Sequence, residues 1–175
     1  PLDETVVHID YRHSGIGSNS CGPEHDKKWR LDDRDFRFSF RKRVRYAEID
    51  GQKVAFNSRY LEYFDIGVTE YWRSVGVNAL YPDGETPEFH VARSEINYRA
   101  PILYDELFDI CARADRIGRT SFTLAFELHG ADREDLRASG LLINVHVAEA
   151  QGAPEPVPDP FIKLFEAFEG RSLRG

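Results

Sequence analysis

Between Tyr46 and Asp65 the sequence holds a carboxylate, a glycine turn and a helix start in close succession. Asp50 follows a strand-like run, Gly51 opens a loop, and Asn57 or Ser58 stands where a helix begins. A helix start leaves backbone N–H groups unpaired and carries the positive end of the helix dipole. Such donors polarise a carbonyl and hold the oxyanion that forms when it is attacked. A carboxylate facing them attacks the carbonyl or activates a water. The arrangement suits acyl transfer, with Asp50 as nucleophile or general base. The competing reading of Asp50 is a turn residue, because Asp-Gly is a common turn pair. Glu48, Glu62 and Asp65 read as solvated surface acids.

These residues need a scaffold, and the hydrophobic pattern supplies one. Phe36, Phe38 and Phe40 alternate with Arg37, Ser39 and Arg41, a strand running on through Val44 and Tyr46. Tyr60, Leu61, Phe64, Val68, Tyr71, Trp72 and Val75 fall on one broad helical stripe over residues 58–75, ended by Gly76. Gly67 sits inside that helix, where close packing against a sheet would explain it. Four strands are predicted next. They run over about 89–98, then through Phe108 to Asp115, Phe122 to His129 and Leu141 to Ala148, the last three with a clean period of two. A proline run and a short amphipathic helix with Phe161, Ile162, Leu164, Phe165 and Phe168 close the chain. The order predicts four strands in hairpin sequence and an α+β architecture, a single antiparallel sheet curled around one long helix.

Composition excludes several classes. The 175 residues carry a formal net charge of −7, with 41% apolar and 30% charged residues. That length suits one domain with an appendage. The acidic balance argues against binding nucleic acid, and no apolar run reaches membrane-span length. Cys21 and Cys111 are isolated and the six histidines are scattered, so neither a disulfide framework nor a metal site is expected. A reducing cytoplasm is the expected location. His90 reads as a core or surface histidine rather than a pocket residue. Arg99, Arg116 and Arg119 read as surface charges, with the phosphates of a ligand as the alternative partner. The chain starts at Pro1 and has no methionine, as a processed product or a fragment would.

The segment Tyr46…Asp50…Val54-Ala55-Phe56-Asn57…Tyr60-Leu61-Glu62-Tyr63-Phe64 resembles the hotdog-fold acyl-CoA thioesterases, in the branch typified by 4-hydroxybenzoyl-CoA thioesterase. The resemblance continues through Glu95 to Pro101, Arg116 to Phe122 and Leu141 to Val147, and covers about residues 36–170. It implies a hotdog fold and hydrolysis of an acyl-CoA thioester, with no cofactor or metal beyond the CoA of the substrate. It further implies a homodimer or homotetramer with sites at the subunit interface. Asp50 matches the family's catalytic carboxylate, Asn57 the residue whose backbone N–H polarises the thioester carbonyl, and Tyr60 the helix aromatic beside the site. Many members have Gly three residues after the Asp. This chain has Lys53 there, a candidate for contact with substrate or a CoA phosphate. Thr120 and Ser121, in the matching hairpin, are further candidates for the acyl site, with plain strand residues as the alternative.

A second resemblance covers about residues 5–40. His8 to Pro23, Trp29 to Asp32 and Phe36 to Phe40 are similar to the C-terminal tail of family 2 glycoside hydrolase β-galactosidases. Glycoside hydrolysis needs two carboxylates on a formed scaffold, which such a tail does not supply. Residues 1–35 are therefore expected to be a non-functional appendage and 36–175 the thioesterase-like domain. Two other readings stand beside this one. The chain could be a non-catalytic acyl-CoA-binding domain, or a β-galactosidase fragment defined by its first residues.

Overall fold

The computed structural model describes residues 36–130, 135–149 and 152–174, so the appendage expected over 1–35 lies outside the described residues. Strand β1 (Phe38–Arg43) leads through a 3-10 turn (Tyr46–Glu48) and a loop into helix α1 (Arg59–Val75). A short α2 (Val77–Leu80) follows, then β2 (Glu88–Tyr98), β3 (Leu107–Ile117), β4 (Ser121–His129), β5 (Leu136–Val147) and α3 (Asp159–Glu169). Gly76 ends α1 in the left-handed conformation at φ +98°, as its lack of a Cβ permits.

The five strands form one antiparallel sheet in the order β1-β3-β4-β5-β2. Only β3, β4 and β5 follow one another as hairpins. The predicted hairpin from β2 to β3 is not made: β2 crosses to the far edge and pairs with β5. A bulge between Val91 and Arg93 accounts for its broken alternation.

The expected curling of the sheet around a single helix is also corrected. The sheet is open, neither closed nor strongly curled, and β1 and β2 remain two separate edges. A second helix makes curling unnecessary. Helix α1 lies along β1 and β3, and α3 covers the part of its apolar arc that the sheet does not reach. Tyr71 of α1 meets Phe165 and Phe168 of α3, and Trp72 meets Phe161 and Phe165, at centroid distances of 5.4–6.3 Å.

The face of the sheet beneath α1 carries Phe108, Ile110, Ala112 and Ala114 of β3 and Phe122, Leu124, Phe126 and Leu128 of β4, all fully buried. Gly67 lets α1 approach this layer: a Cβ there would lie 2.8 Å from Ile110 Cγ2. On β5 the buried phase is Gly140, Leu142, Asn144 and His146, whereas Leu141, Ile143 and Val145 are half-buried on the other face. Packing selects this phase, because a Cβ on Gly140 would stand 2.6 Å from Phe64 Cε2.

Candidate active site

The loop between the 3-10 turn and α1 folds back on itself. Ile49 bridges Ala55, the Asp50 N–H donates to Val54 O at 3.0 Å, and the Phe56 N–H donates to Glu48 O at 2.9 Å. Its outer side is fastened to the segment before β3. The Ala55 N–H donates to Ile102 O at 2.8 Å, and the Tyr104 N–H donates to Lys53 O at 3.0 Å. Asp50 sits in the turn of this loop. Its Oδ1 accepts the Gln52 N–H at 2.8 Å and the Val54 N–H at 3.5 Å, while Oδ2 accepts nothing among the described residues. The aspartate is thus a turn residue and also presents a free carboxylate oxygen.

The loop delivers the chain to the start of α1. Ser58 occupies the cap position, but its side chain makes no capping bond. The amides of Asn57 and Ser58 have no acceptor among the described residues. Tyr98 of β2 donates its hydroxyl to Asn57 O at 3.1 Å and so orients the Asn57–Ser58 peptide. Tyr60 is buried edge-on against Tyr98 at 4.8 Å, supporting that contact from below. Arg59 pairs with Glu62 and donates to Ala47 O at 3.3 Å, tying the helix start to the turn before the loop.

Glu48 is not the surface acid the sequence suggests. It is 2% exposed, and its carboxylate is surrounded by donors. Lys42 Nζ reaches both oxygens at 2.7 Å, Arg45 donates its backbone N–H at 2.9 Å and its Nε at 2.7 Å, and Tyr63 donates its hydroxyl at 3.2 Å. Burial opposes the charge, but these donors outweigh it and hold the carboxyl at about 2 instead of 4.5. Tyr63, buried beside this charge, has its phenol pushed well above its ordinary range by burial and by Glu48. No periodicity signals this cluster, because its members lie on three different elements.

Asp50, Lys53, Asn57 and Tyr60 thus lie along one loop and the helix start into which it leads. Lys53 is exposed, has no side-chain partner among the described residues, and adopts φ +64°. This is the left-handed conformation that glycine takes most easily, at the position where Gly often stands in the resembled family. Around the loop Tyr46, Phe56, Leu61, Leu103 and Tyr104 are exposed, an apolar rim beside the carboxylate. Thr120 and Ser121 are elsewhere. Thr120 ends the turn after β3 and Ser121 opens β4, separated from the segment that holds the Asp50 loop by the length of β3, on the order of 30 Å. Thr120 O accepts the His146 N–H at 2.8 Å there. His90 is exposed and pairs with Glu88 at 3.1 Å. Among the described residues no group of three or more His, Cys, Asp or Glu is placed to hold a metal ion. No helix among them is long and apolar enough to cross a membrane.

Comparison with known proteins agrees with this architecture. Residues 52–136 match the Thioesterase superfamily, and residues 1–41 match the Beta galactosidase small chain. The C-terminal part of this protein resembles the thioesterase superfamily and shares the fold of thioesterases solved from other organisms, and its N-terminal segment resembles a β-galactosidase small-chain region. A thioesterase from Thermus thermophilus solved in complex with coenzyme A and Zn is 26% identical. The match covers 77% of this chain and 96% of that one, with a TM-score of 0.64. A 1,4-dihydroxy-2-naphthoyl-CoA thioesterase from Synechocystis shares the fold at 17% identity and a TM-score of 0.63, over 73% of this chain and 94% of that one. The Beta-galactosidase of Staphylococcus xylosus is 58% identical over 40 residues, 23% of this chain. This chain spans only 4% of the length of that enzyme.

Proposed function

We propose that this protein is an acyl-CoA thioesterase that converts an acyl-CoA and water into a carboxylic acid and free CoA. One observation carries the reading. Asp50 offers an open carboxylate oxygen from a loop whose exit places the unpaired amides of Asn57 and Ser58 at the head of a 17-residue helix. The Asn57 N–H receives the thioester oxygen as negative charge develops on it. Asp50 either takes a proton from the attacking water or adds to the carbonyl carbon itself. In the second route water then cleaves the mixed anhydride and returns the carboxylate. In both routes the sulfur leaves and is protonated to the CoA thiol. Lys53 lies on the solvent side for substrate contact, and Tyr60 supports the helix start. The likeness to a thioesterase solved with coenzyme A supports CoA as the carrier.

The same reading makes the protein a homodimer or homotetramer. Thr120 and Ser121 then reach an acyl site only from a second copy. It leaves residues 1–35 outside the reaction and residues 36–175 as the working domain. Thiol release from short, long and aromatic acyl-CoAs tests the reading, comparing the wild type with Asp50→Asn. Hydrolysis that is lost in a folded Asp50→Asn protein supports it. Hydrolysis that survives the substitution removes Asp50 from the mechanism, and a wild type inactive on every thioester overturns the assignment. Removing residues 1–35 leaves turnover in place if the division between the two parts is correct.

A further inference from the structure

We infer that Glu48 is a positioning residue for this site, holding Asp50 and the Asn57 amide in one geometry from beneath the loop. The inference rests on the thioesterase reading. Glu48 stands two residues before Asp50, and its carbonyl accepts the N–H of Phe56, the residue before Asn57. Its backbone therefore closes the loop that separates the two groups. Its side chain anchors that closure to the rest of the molecule. The donors to its carboxylate come from β1 through Lys42, from the entry to the turn through Arg45, and from α1 through Tyr63. The sheet edge, the loop and the helix are thus joined at a single carboxylate.

Stability alone does not call for this arrangement. A buried ion pair is a weak source of stability, and apolar side chains of similar volume commonly replace one without loss. What the carboxylate adds is direction, because four donors from three elements fix where the loop sits. Glutamine keeps an acceptor oxygen for Arg45 and Tyr63 but leaves the nearly buried Lys42 ammonium without an anion. The loop can then shift, and a displacement of about 1 Å at a reacting centre costs on the order of 100-fold in rate.

The test measures kcat, KM and melting temperature for five proteins: wild type, Asp50→Asn, Glu48→Gln, Tyr63→Phe and the double variant Lys42→Met with Glu48→Gln. Glu48→Gln is expected to lower kcat about 10- to 100-fold with KM changed by less than about threefold. Tyr63→Phe, which removes one donor, is expected to lower kcat by roughly 3- to 10-fold. The double variant removes the stranded ammonium, so it should regain melting temperature without regaining kcat. Recovery of kcat together with stability in the double variant would reduce Glu48 to a structural residue and overturn the inference. So would unchanged kcat in a folded Glu48→Gln protein whose Asp50→Asn counterpart is inactive, and the thioesterase reading would survive that result. A wild type inactive on all thioesters fails at the earlier step and removes both.

Discussion

Gly67 of α1 and Ile110 of β3 stand so close that a methyl group on Gly67 would lie 2.8 Å from Ile110 Cγ2 and 3.2 Å from Phe126 Cε1. A glycine inside a helix costs about 1 kcal/mol relative to alanine. Here it sets the spacing between the long helix and the centre of the sheet. Gly67→Ala would gain that propensity but crowd the core, at a cost of about 1–3 kcal/mol. The expected result is a net loss of about 1 kcal/mol in urea unfolding. A more stable variant would show that Ile110 and Phe126 can move aside.

Lys53 holds φ +64°. A residue with a Cβ in this region carries about 1–2 kcal/mol of strain, whereas glycine loses about 0.5–1 kcal/mol more backbone entropy on folding. Lys53→Gly is therefore expected to be neutral or to stabilise by up to about 1 kcal/mol. Lys53→Ile, with a branched Cβ in the same conformation, should lower the melting temperature. If Lys53 contacts the CoA moiety, Lys53→Gly raises KM at unchanged kcat. Equal stability of the glycine and isoleucine variants would contradict the strain at this position.

The depressed Glu48 carboxyl makes a signed prediction for acid. Its pKa falls from 4.5 in the unfolded chain to about 2 in the folded one. The stability it contributes is fully present above about pH 4.5 and is lost as pH drops toward 2. The contribution is on the order of 3 kcal/mol. Unfolding followed between pH 6 and pH 2.5 should show the wild type losing stability more steeply than Glu48→Gln. Parallel curves for the two proteins would assign the acid sensitivity to other carboxyls.

At the other end of β3, Leu173 is buried and its carbonyl accepts the Ile117 N–H at 2.8 Å. Its own N–H donates to Glu166 Oε1 at 2.9 Å, so the chain's last turn is strapped to both the sheet and α3. Leu173→Ala should cost about 2–4 kcal/mol. Because this strap lies a strand's length from Asp50, thioester turnover measured below the melting transition is expected to stay within about twofold of wild type.

The elements were legible where periodicity is local. The aromatic stripe from Tyr60 to Val75 locates α1 within a residue of its observed start at Arg59. The alternations of β3 and β4 identify their buried faces correctly. Strand neighbours are a different matter, because a two-residue period says which face a side chain takes but not which strand lies alongside. Nothing in Glu88–Tyr98 announces that its partner is β5. The sheet's openness escaped for a related reason: the apolar arc of α1 does not say whether strands or α3 will cover it. At the candidate site, Asp50 and Asn57 share one contiguous motif, so the sequence alone puts them on the same loop and helix start. Glu48 could not, since its partners Lys42 and Tyr63 lie 6 and 15 residues away on other elements.

The crossing of β2 to the far edge also sets an order of events in folding. The β3–β4 and β4–β5 pairings join strands adjacent in the chain and close short loops. β2 is synthesised before all three, yet its strand partner among the described residues, β5, comes last. Until Leu136–Val147 has emerged, Glu88–Tyr98 has no ladder to join, and Phe89, Val91 and Ile96 wait unpaired. Pairings of this non-local kind slow folding and prolong exposure of a strand edge. During synthesis, the nascent chain is therefore most prone to aggregate between completion of β2 and arrival of β5.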